Sequence, residues 1–381
     1  MYSIVRPLLF QLNPELAHSL GFLAARVAPV KVTSSVFRYS NSVLDQYLWG
    51  IDFTNPIGLA AGLDKNGSAV PFWASLGFGF IEVGSISAQP WPGNPKPRLF
   101  RLPADKAVIN RMGLNNLGAE RVAARLGKLA KGLPPLGINI VKTPDPEIEK
   151  EAAIDDFRRS FRTLVRLANY ITLNVSCPNT KEGKTFEDPF ALDELLKAIT
   201  EERAETVRNI PILVKLSPPM FERLELDSQI DEIVSVALDR GVDGFIAGNT
   251  STHRDGLNTP TDTLQRIGAG GLSGQPLRDR STRLIRYLHE RSEGAIPIIG
   301  VGGIATADDA YAKILAGASL LQLYTSLIYE GPGVVKKIKS GLAQLLLKDG
   351  FQNIKQAVGA QYHLPVAGRR KEAERVIALS A

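Results

Sequence analysis

Short apolar runs recur along the chain from about residue 50, and most of them end in glycine or in a polar residue. The runs are rich in β-branched and other apolar residues, which indicates buried strands. Segments between them, such as 157–168, repeat apolar residues with a period of 3.6, which indicates helices. The pattern predicts an α/β fold, a parallel (β/α)8 TIM barrel with helices outside. Eight runs are counted: 57–61, 80–84, 137–141, 171–175, 212–216, 244–247, 296–300 and 320–323.

A doubly wound open sheet is the alternative to the barrel, but that fold needs a glycine fingerprint after its first strand, and none is seen. Residues 1–45 are predicted to form an N-terminal helical segment, with two short helices over about 1–30. Asn13 is a plausible N-cap with Pro14 at the first helical position. These amphipathic helices either dock in a bilayer interface or pack on the barrel. The barrel is expected over 46–360 and a C-terminal tail over 361–381.

Composition narrows the class of protein. The 381 residues carry 45 basic and 39 acidic side chains, a net charge of +6, and no basic cluster is interleaved with aromatic residues, which argues against nucleic-acid binding. A single cysteine excludes an internal disulfide and a multi-cysteine metal site, and the four scattered histidines predict no zinc site. No apolar run approaches the roughly 18 residues of a membrane-spanning helix. The N-terminus is not a convincing signal peptide.

Polar residues cluster where the predicted strands end, which is where a parallel barrel holds its active site. The stretch 170–180, YITLNVSCPNT, joins a strand to a loop that carries Cys177 between Asn174 and Asn179. A thiol flanked by amides suits a general base that acts on a substrate read by hydrogen bonds; the alternative is a structural buried cysteine. Lys215 lies inside an apolar run and must be paired or functional, because lysine is almost never buried alone.

Glycine clusters at 270–274 and 300–303, with Tyr324 and Thr325 after the last strand, are typical of the phosphate cradle of a barrel. The long proline-rich connection over 88–116 is predicted to be a functional loop. The polar run 181–185 is either a mobile lid over the cysteine or a plain solvated turn.

The motifs AAGLDK, FRLP, INRMG, LGINI, NVSCPN, VKL, GGLSG, GVGG and LYTS, in this order, resemble those of the dihydroorotate dehydrogenase family over nearly the whole chain. The leading FQLNPELAH resembles the quinone-dependent, membrane-associated class 2. The resemblance implies FMN over the barrel mouth and oxidation of (S)-dihydroorotate to orotate in pyrimidine biosynthesis, with ubiquinone or menaquinone as acceptor. It further implies a peripheral membrane protein, expected as a monomer, at the cytoplasmic face of the cell membrane.

On this resemblance the catalytic residues are Cys177, which removes the C5 proton while hydride leaves C6 for the flavin, together with Lys65 and Lys215. FMN would be contacted by Ala61, Gly62, Lys65, Ser85, Asn139, Asn174, Lys215, Gly274, Gly303, Tyr324 and Thr325. Dihydroorotate would be held by Lys65, Asn110, Arg111, Met112, Gly113, Leu114, Asn174, Asn179, Asn249 and Thr250. The quinone would enter near His18, Arg101 and Tyr324.

The chain departs from the class 2 pattern at three positions. Cys177 stands where that class usually has serine, as in soluble class 1 enzymes that reduce fumarate or NAD, and a thiol base predicts activity that persists to lower pH. Gly248 replaces a threonine near the flavin, and Leu114 replaces a phenylalanine of the substrate loop. The rival interpretations are a class 1-like enzyme, an inactive flavin-binding membrane-associated protein, and another FMN barrel such as a dihydropyrimidine or dihydrouridine reductase.

Overall fold

The computed structural model describes residues 2–176, 185–218 and 228–362. Two residues that the sequence assigned to the site, Cys177 and Asn179, lie outside the described residues. The same holds for 181–184 in the polar run after the fourth predicted strand and for the chain beyond residue 362.

Strands and helices alternate through most of the described chain. The strands are β1 (Gln46–Leu48), β2 (Ile51–Phe53), β3 (Ile57–Leu59), β4 (Phe80–Ile86), β5 (Leu99–Leu102), β6 (Ala107–Asn110), β7 (Leu136–Ile140), β8 (Tyr170–Asn174), β9 (Ile212–Leu216), β10 (Gly244–Ala247), β11 (Gly271–Gly274), β12 (Ile298–Val301) and β13 (Ala318–Leu323). The α-helices are α1 (Tyr2–Gln11), α2 (Pro14–Val27), α3 (Val30–Phe37), α4 (Val70–Ser75), α5 (Ala119–Leu126), α6 (Lys150–Leu164), α7 (Pro189–Ala204), α8 (Ser228–Asp239), α9 (Thr261–Ile267), α10 (Arg278–Arg291), α11 (Ala307–Leu315), α12 (Thr325–Glu330), α13 (Val334–Lys348) and α14 (Ile354–Ala357).

Eight of these strands close into a parallel barrel, in the order β3, β4, β7, β8, β9, β10, β12, β13. Each of the eight apolar runs corresponds to one barrel strand, so the predicted (β/α)8 barrel is confirmed. Every residue of β4, β7, β8 and β9 is buried, because helices cover the outer face of such strands and side chains fill the interior. The carboxyl ends of the strands meet at one end of the barrel, called the mouth below.

The opposite end of the barrel is closed by aromatic packing. Phe53, from the hairpin of β1 and β2, contacts Phe80 with ring centroids 5.6 Å apart, and Phe80 contacts Tyr170 at 6.3 Å. A Cβ on Gly137 would lie 2.1 Å from the Tyr170 ring, so only glycine leaves room for this packing. The layer, called the floor below, consists of Phe53, Phe80, Tyr170, Leu213, Ile246, Ile299 and Leu320.

The proline-rich connection over 88–116 contains two strands that the sequence pattern did not predict. β5 and β6 pair antiparallel, and β11 pairs with the other edge of β6 to give a three-stranded sheet beside the mouth. The glycine cluster at 270–274, expected only as part of an anion cradle, therefore also forms a strand. Its glycines permit this close pairing, since a Cβ on Gly270 would lie 2.8 Å from the carbonyl oxygen of Asn110.

The two helices predicted over about 1–30 are α1 and α2, and a third helix of the N-terminal segment, α3, follows α2 after a sharp break. Asn13 caps α2 as predicted, and its side chain accepts from the backbone of Glu15 and Leu16. Within residues 2–176, 185–218 and 228–362, no single helix is long and apolar enough to span a membrane; α2 and α3 reach that length and composition only together, bent by 102°.

Candidate active site

The mouth opens into a cavity of about 1280 Å³, counting space open to solvent. It is bounded by the ends of the barrel strands and by the small sheet of β5, β6 and β11. Of the residues assigned to the flavin, the lining includes Ala61, Gly62, Lys65, Ser85, Asn174, Lys215, Gly274, Gly303, Tyr324 and Thr325. Of those assigned to the substrate, it includes Lys65, Asn110, Met112, Gly113, Leu114, Asn174, Asn249 and Thr250. Residues that are far apart in the sequence thus line one cavity, although the role of each residue stays a prediction.

Two lysines face this cavity from different strands. Lys65 follows β3 and donates to Asn115 Oδ1 at 2.7 Å, while Lys215 lies within β9 and is 6% exposed. The loop that carries Lys65 is fixed by the buried carboxylate of Asp64, which accepts from the backbone of Ala69 at 2.8 Å and from the indole of Trp73 at 3.1 Å. A cation held this way is placed by the fold before any ligand binds, as electrostatic catalysis requires.

A chain of hydrogen bonds runs beneath the cavity. Ser85 Oγ donates to Asn139 Oδ1 at 2.6 Å, and Asn174 Nδ2 donates to Ser85 Oγ at 2.7 Å. Asn139 is fully buried behind Ser85 and does not belong to the cavity lining, so its assigned flavin contact stays a prediction. Behind Asn139 lies Glu82, which sequence reasoning missed together with Gln322. The signal was present: Glu82 interrupts the apolar run FIEVG as Lys215 interrupts ILVKL.

Glycine backbone builds one wall of the cavity. Gly303 has φ of +69°, and a Cβ there would lie 2.4 Å from Cα of Arg278, so no larger residue fits without moving the backbone. Gly274, with φ of +107°, is similarly crowded by the carbonyl oxygen of Lys106 at 2.5 Å. Nearby, the buried hydroxyl of Ser326 has no hydrogen-bond partner within the described residues. Backbone amides and a spare hydroxyl around a glycine cradle suit a phosphate group.

Arg111 does not reach the cavity, although it was assigned to the substrate. Its guanidinium donates to the carbonyl oxygens of Ile267 and Ala269 and lies 4.6 Å from the ring centroid of Phe100. These contacts hold the β5–β6 hairpin against the segment that leads into β11. Leu114 does line the cavity and has φ of +57°, a left-handed backbone conformation that is uncommon outside glycine.

Of the three residues assigned to a quinone, only Tyr324 lines the cavity. Burial raises the pKa of its hydroxyl to about 12. His18 on α2 stacks near Phe22, with ring centroids 4.7 Å apart, and burial lowers the pKa of its imidazole to about 4. Arg101 on β5 donates to the carbonyl oxygens of Leu9, Phe10 and Leu12 of the N-terminal segment, and burial lowers its pKa.

The N-terminal helices are fastened to the edge of the cavity by further polar contacts. Arg98, on the chain just before β5, pairs with Glu15 of α2, Nε to Oε2, at 3.1 Å. The hydroxyl of Tyr2 donates to the carbonyl oxygen of Ile328 at 2.5 Å, which joins α1 to α12. The cavity lining extends toward these helices through Lys106, Tyr329 and Glu330. The cavity lining therefore reaches residues that contact α1, since Tyr329 packs on Phe10 with ring centroids 5.4 Å apart.

Comparisons with known proteins agree with this geometry. A sequence model of the dihydroorotate dehydrogenase family matches residues 43–346. The dihydroorotate dehydrogenase (quinone) of Nocardia farcinica is 42% identical over 370 residues, which cover 96% of this chain and 98% of that protein. The protein of the same description from Deinococcus deserti is 43% identical over 367 residues, covering 94% and 98%. A crystal structure of DHODH from Eimeria tenella in complex with ferulenol has a TM-score of 0.81 at 33% identity, covering 95% of this chain and 99% of that one.

Proposed function

The chain belongs to the dihydroorotate dehydrogenase family, and from this premise we propose that FMN and dihydroorotate meet in the mouth cavity. The activity is the oxidation of (S)-dihydroorotate to orotate in pyrimidine biosynthesis, with a quinone as electron acceptor. Members of the family are flavoenzymes, and FMN is the flavin proposed here. The observation that carries the placement is the convergence of Lys65, Lys215 and the Gly303 cradle on one cavity.

The residues present fit FMN. The Gly274 and Gly303 backbones, with the spare hydroxyl of Ser326, suit its phosphate. Ala61 and Gly62 are small enough for a flat ring to lie against the backbone. Lys215, which lines the cavity, would supply a cation to the reduced flavin ring, on which negative charge develops. When bound, FMN would supply the redox chemistry, that is, the uptake of hydride from the substrate and the transfer of electrons to the quinone.

The chain's own residues hold the substrate and move a proton. Asn110, Asn249 and Asn174 line the cavity, and their amides can read the carboxylate and ring amides of dihydroorotate. Asn249 is itself fixed, because its Nδ2 donates to the carbonyl oxygen of Ser176 at 2.9 Å. Lys65 supplies positive charge for the substrate carboxylate. Such preorganised contacts fix an attack geometry before reaction.

Cys177 is proposed as the base that removes the C5 proton. It lies outside the described residues, and its assignment rests on its place directly after Ser176, whose carbonyl and hydroxyl oxygens both accept from Asn249. If the thiol is the base, Cys177→Ser moves the acid limb of the pH–rate profile to higher pH, because a hydroxyl has a far higher pKa than a thiol. An acid limb at the same pH in the variant contradicts the assignment.

The proposed association with a membrane rests on the N-terminal helices. Leu8, Leu23 and Val27 are 64%, 57% and 74% exposed, and further apolar residues of α1 to α3 are also exposed. Arg26 and Lys31 add positive charge beside this surface, which suits an anionic membrane. We infer a peripheral monomer at the cytoplasmic face of the cell membrane, with ubiquinone or menaquinone entering between these helices toward Tyr324.

The first experiment offers a ubiquinone analogue, fumarate and NAD separately to purified holoenzyme oxidising dihydroorotate. Turnover with the quinone alone supports the proposal. Turnover with fumarate or NAD instead would mean that the cysteine base accompanies class 1 chemistry and that the N-terminal helices serve packing.

A second experiment tests the membrane surface. The double variant Leu20→Glu, Leu23→Glu should lose flotation with phosphatidylglycerol vesicles and lose turnover with a long-chain quinone, while keeping turnover with a water-soluble analogue. Leu347→Glu is the matched control, since Leu347 on α13 is 56% exposed outside the N-terminal helices. Equal vesicle binding by both variants would contradict the assignment of α2 to the membrane.

A further inference from the structure

Glu82 is a buried carboxylate between the floor and the mouth. It is the third residue of β4, fully buried, and its side chain lies in the barrel interior two residues after Phe80 of the floor. We propose that Glu82 is a positioning residue: its carboxylate fixes the direction of a hydrogen-bond chain that ends on the cavity-lining amides Asn174 and Gln322. The inference rests on the proposed placement of FMN and dihydroorotate in the mouth.

Four side chains from three other strands donate to this carboxylate. Asn139 Nδ2 donates to Oε1 at 3.0 Å, and Gln322 Nε2 donates to Oε2 at 2.7 Å. The hydroxyl groups of Tyr170 and Thr172 donate to Oε2 at 3.0 and 3.4 Å. Burial, and then the negative charge of Glu82, raise the pKa of Tyr170, so the phenol remains a donor. Burying a carboxylate is costly unless it is well hydrogen-bonded, and here both oxygens are.

A carboxylate can only accept, and this determines the orientation of every amide in contact with it. Asn139 must turn its NH₂ toward Glu82, which leaves its carbonyl oxygen facing Ser85. Ser85 must then donate its proton to Asn139, and its oxygen is left to accept from Asn174. Each step follows from the one before, so the acceptor at Glu82 decides that Asn174 presents its NH₂ toward Ser85.

Glu82 is also linked to the cavity directly, through its hydrogen bond with Gln322. Gln322 also turns its NH₂ toward Glu82, so its carbonyl oxygen is the end that remains. That oxygen is buried and has no hydrogen-bond partner among the residues that the structure describes, and Gln322 lines the cavity. An unsatisfied buried acceptor beside a cavity is costly unless a ligand supplies a donor. The ring N–H groups of a flavin or of dihydroorotate are donors of that kind.

The substitution Glu82→Gln would keep the shape of the side chain, but the side chain would no longer determine the orientation of the neighbouring amides. An amide both donates and accepts, so Asn139 and Gln322 could each turn by 180° and the chain could run in either direction. The amides at the mouth would then no longer present one fixed pattern of donors and acceptors. The loss of a buried negative charge would also make reduction of a nearby flavin easier.

The test compares the holoenzymes of the wild type, Glu82→Gln and Tyr170→Phe. Tyr170→Phe is the matched control, because it removes one donor to the same carboxylate but leaves in place the hydrogen bonds by which Glu82 orients Asn139 and Gln322. We expect Glu82→Gln to weaken FMN binding about tenfold, to shift the visible absorption bands of the flavin and to raise its midpoint potential. The KM for dihydroorotate should rise as well, while Tyr170→Phe leaves all four quantities near those of the wild type.

If Glu82→Gln and Tyr170→Phe do not differ from each other in flavin spectrum, midpoint potential and FMN affinity, the carboxylate is only structural and the inference is overturned. If the wild type itself binds no FMN, the proposed function fails instead. Should Glu82→Gln not fold, Asn139→Leu breaks the chain one step later and leaves the other three donors on Glu82. A wild-type spectrum and FMN affinity in Asn139→Leu would overturn the inference equally.

Discussion

The floor and the mouth of the barrel are built from the same strands, yet they differ in nearly every physical property. On β4, Phe80 belongs to the floor while Ser85 lines the mouth cavity; on β8, Tyr170 and Asn174 divide in the same way. The distance between the two layers is only a few residues along each strand. A single apolar run can therefore carry a stabilising layer at its start and a reactive layer at its end.

The two layers also differ in how their polar atoms are satisfied. The hydroxyl of Tyr170 in the floor donates to Glu82, and the indole of Trp49, which packs against the floor, donates to the carbonyl oxygen of Asp243 at 2.7 Å. At the mouth, buried polar atoms of Thr250, Ser326 and Gln322 have no partner in the described part of the chain. The polar side-chain groups named at the floor are hydrogen-bonded within the protein, whereas the three atoms at the mouth would need a ligand as their partner. Four predictions test this contrast.

The largest effect is expected at the floor, on stability alone. Phe53 is 1% exposed, so Phe53→Ala should lower the free energy of unfolding by about 3–5 kcal/mol through lost burial and the cavity left behind. FMN stoichiometry should stay that of the wild type in the folded variant. Urea unfolding and flavin absorbance measure the two quantities. Tyr47→Ala is the control, because Tyr47 lies on the same hairpin and is 67% exposed; a comparable loss there would contradict the prediction.

The next effect is expected at the mouth, on binding. A methyl group on Gly303 would meet the backbone of Arg278 at 2.4 Å, so Gly303→Ala should displace the cradle and weaken FMN binding on the order of 100-fold. Gly256→Ala controls for backbone strain, since Gly256 also has positive φ, of +72°, but nothing lies near its Cβ position. Fluorescence titration of FMN gives both affinities. Wild-type affinity in the first variant would refute the cradle.

A smaller effect is expected from an unsatisfied polar atom. Thr250 Oγ1 is buried without a partner among the described residues, so Thr250→Val should leave the stability of the ligand-free protein unchanged or raise it. The same change should raise the KM for dihydroorotate about tenfold, because one ligand hydrogen bond is lost. Thermal unfolding and steady-state kinetics report the two effects. A drop in stability with unchanged KM would place this hydroxyl in a structural role.

The smallest effect is a dependence of stability on pH, at the contact between α11 and α10. Lys313 is fully buried and donates to Arg278 O, Ser281 Oγ and Thr282 Oγ1. Burial lowers its pKa to about 7, against partial compensation from Asp309 and Asp279.

The folded protein then binds fewer protons than the unfolded chain between about pH 7 and the ordinary lysine pKa of 10.5, so stability should rise with pH across that window. Lys339, whose pKa burial lowers to about 8, acts in the same direction. Lys313→Met should reduce the slope of unfolding free energy against pH, and Lys339 should contribute to the slope that remains. An unchanged slope, measured by urea unfolding at several pH values, would contradict the assignment.

Sequence reasoning succeeded where one local rule decides the structure. The eight apolar runs, the Asn13 cap of α2 and the cluster of polar strand ends all follow from neighbours in sequence. It failed at β11, because antiparallel pairing with β6, about 160 residues away, leaves no local pattern. It missed the β5–β6 hairpin because the proline-rich connection was interpreted as a loop. It also assigned Arg111 to the substrate; in the structure that guanidinium donates to backbone carbonyl groups, and the assignment stays a prediction.

By itself, the sequence determined the barrel and placed lysines and glycines at the ends of its strands, since burial period and backbone freedom are properties of short segments. Only the tertiary structure decided which of those residues meet. Glu82, Asn139, Ser85 and Asn174 come from three different strands, and the direction of their hydrogen bonds depends on barrel closure. Hydrogen bonds require partners within about 3 Å and in one orientation, and no spacing along a single chain encodes that geometry.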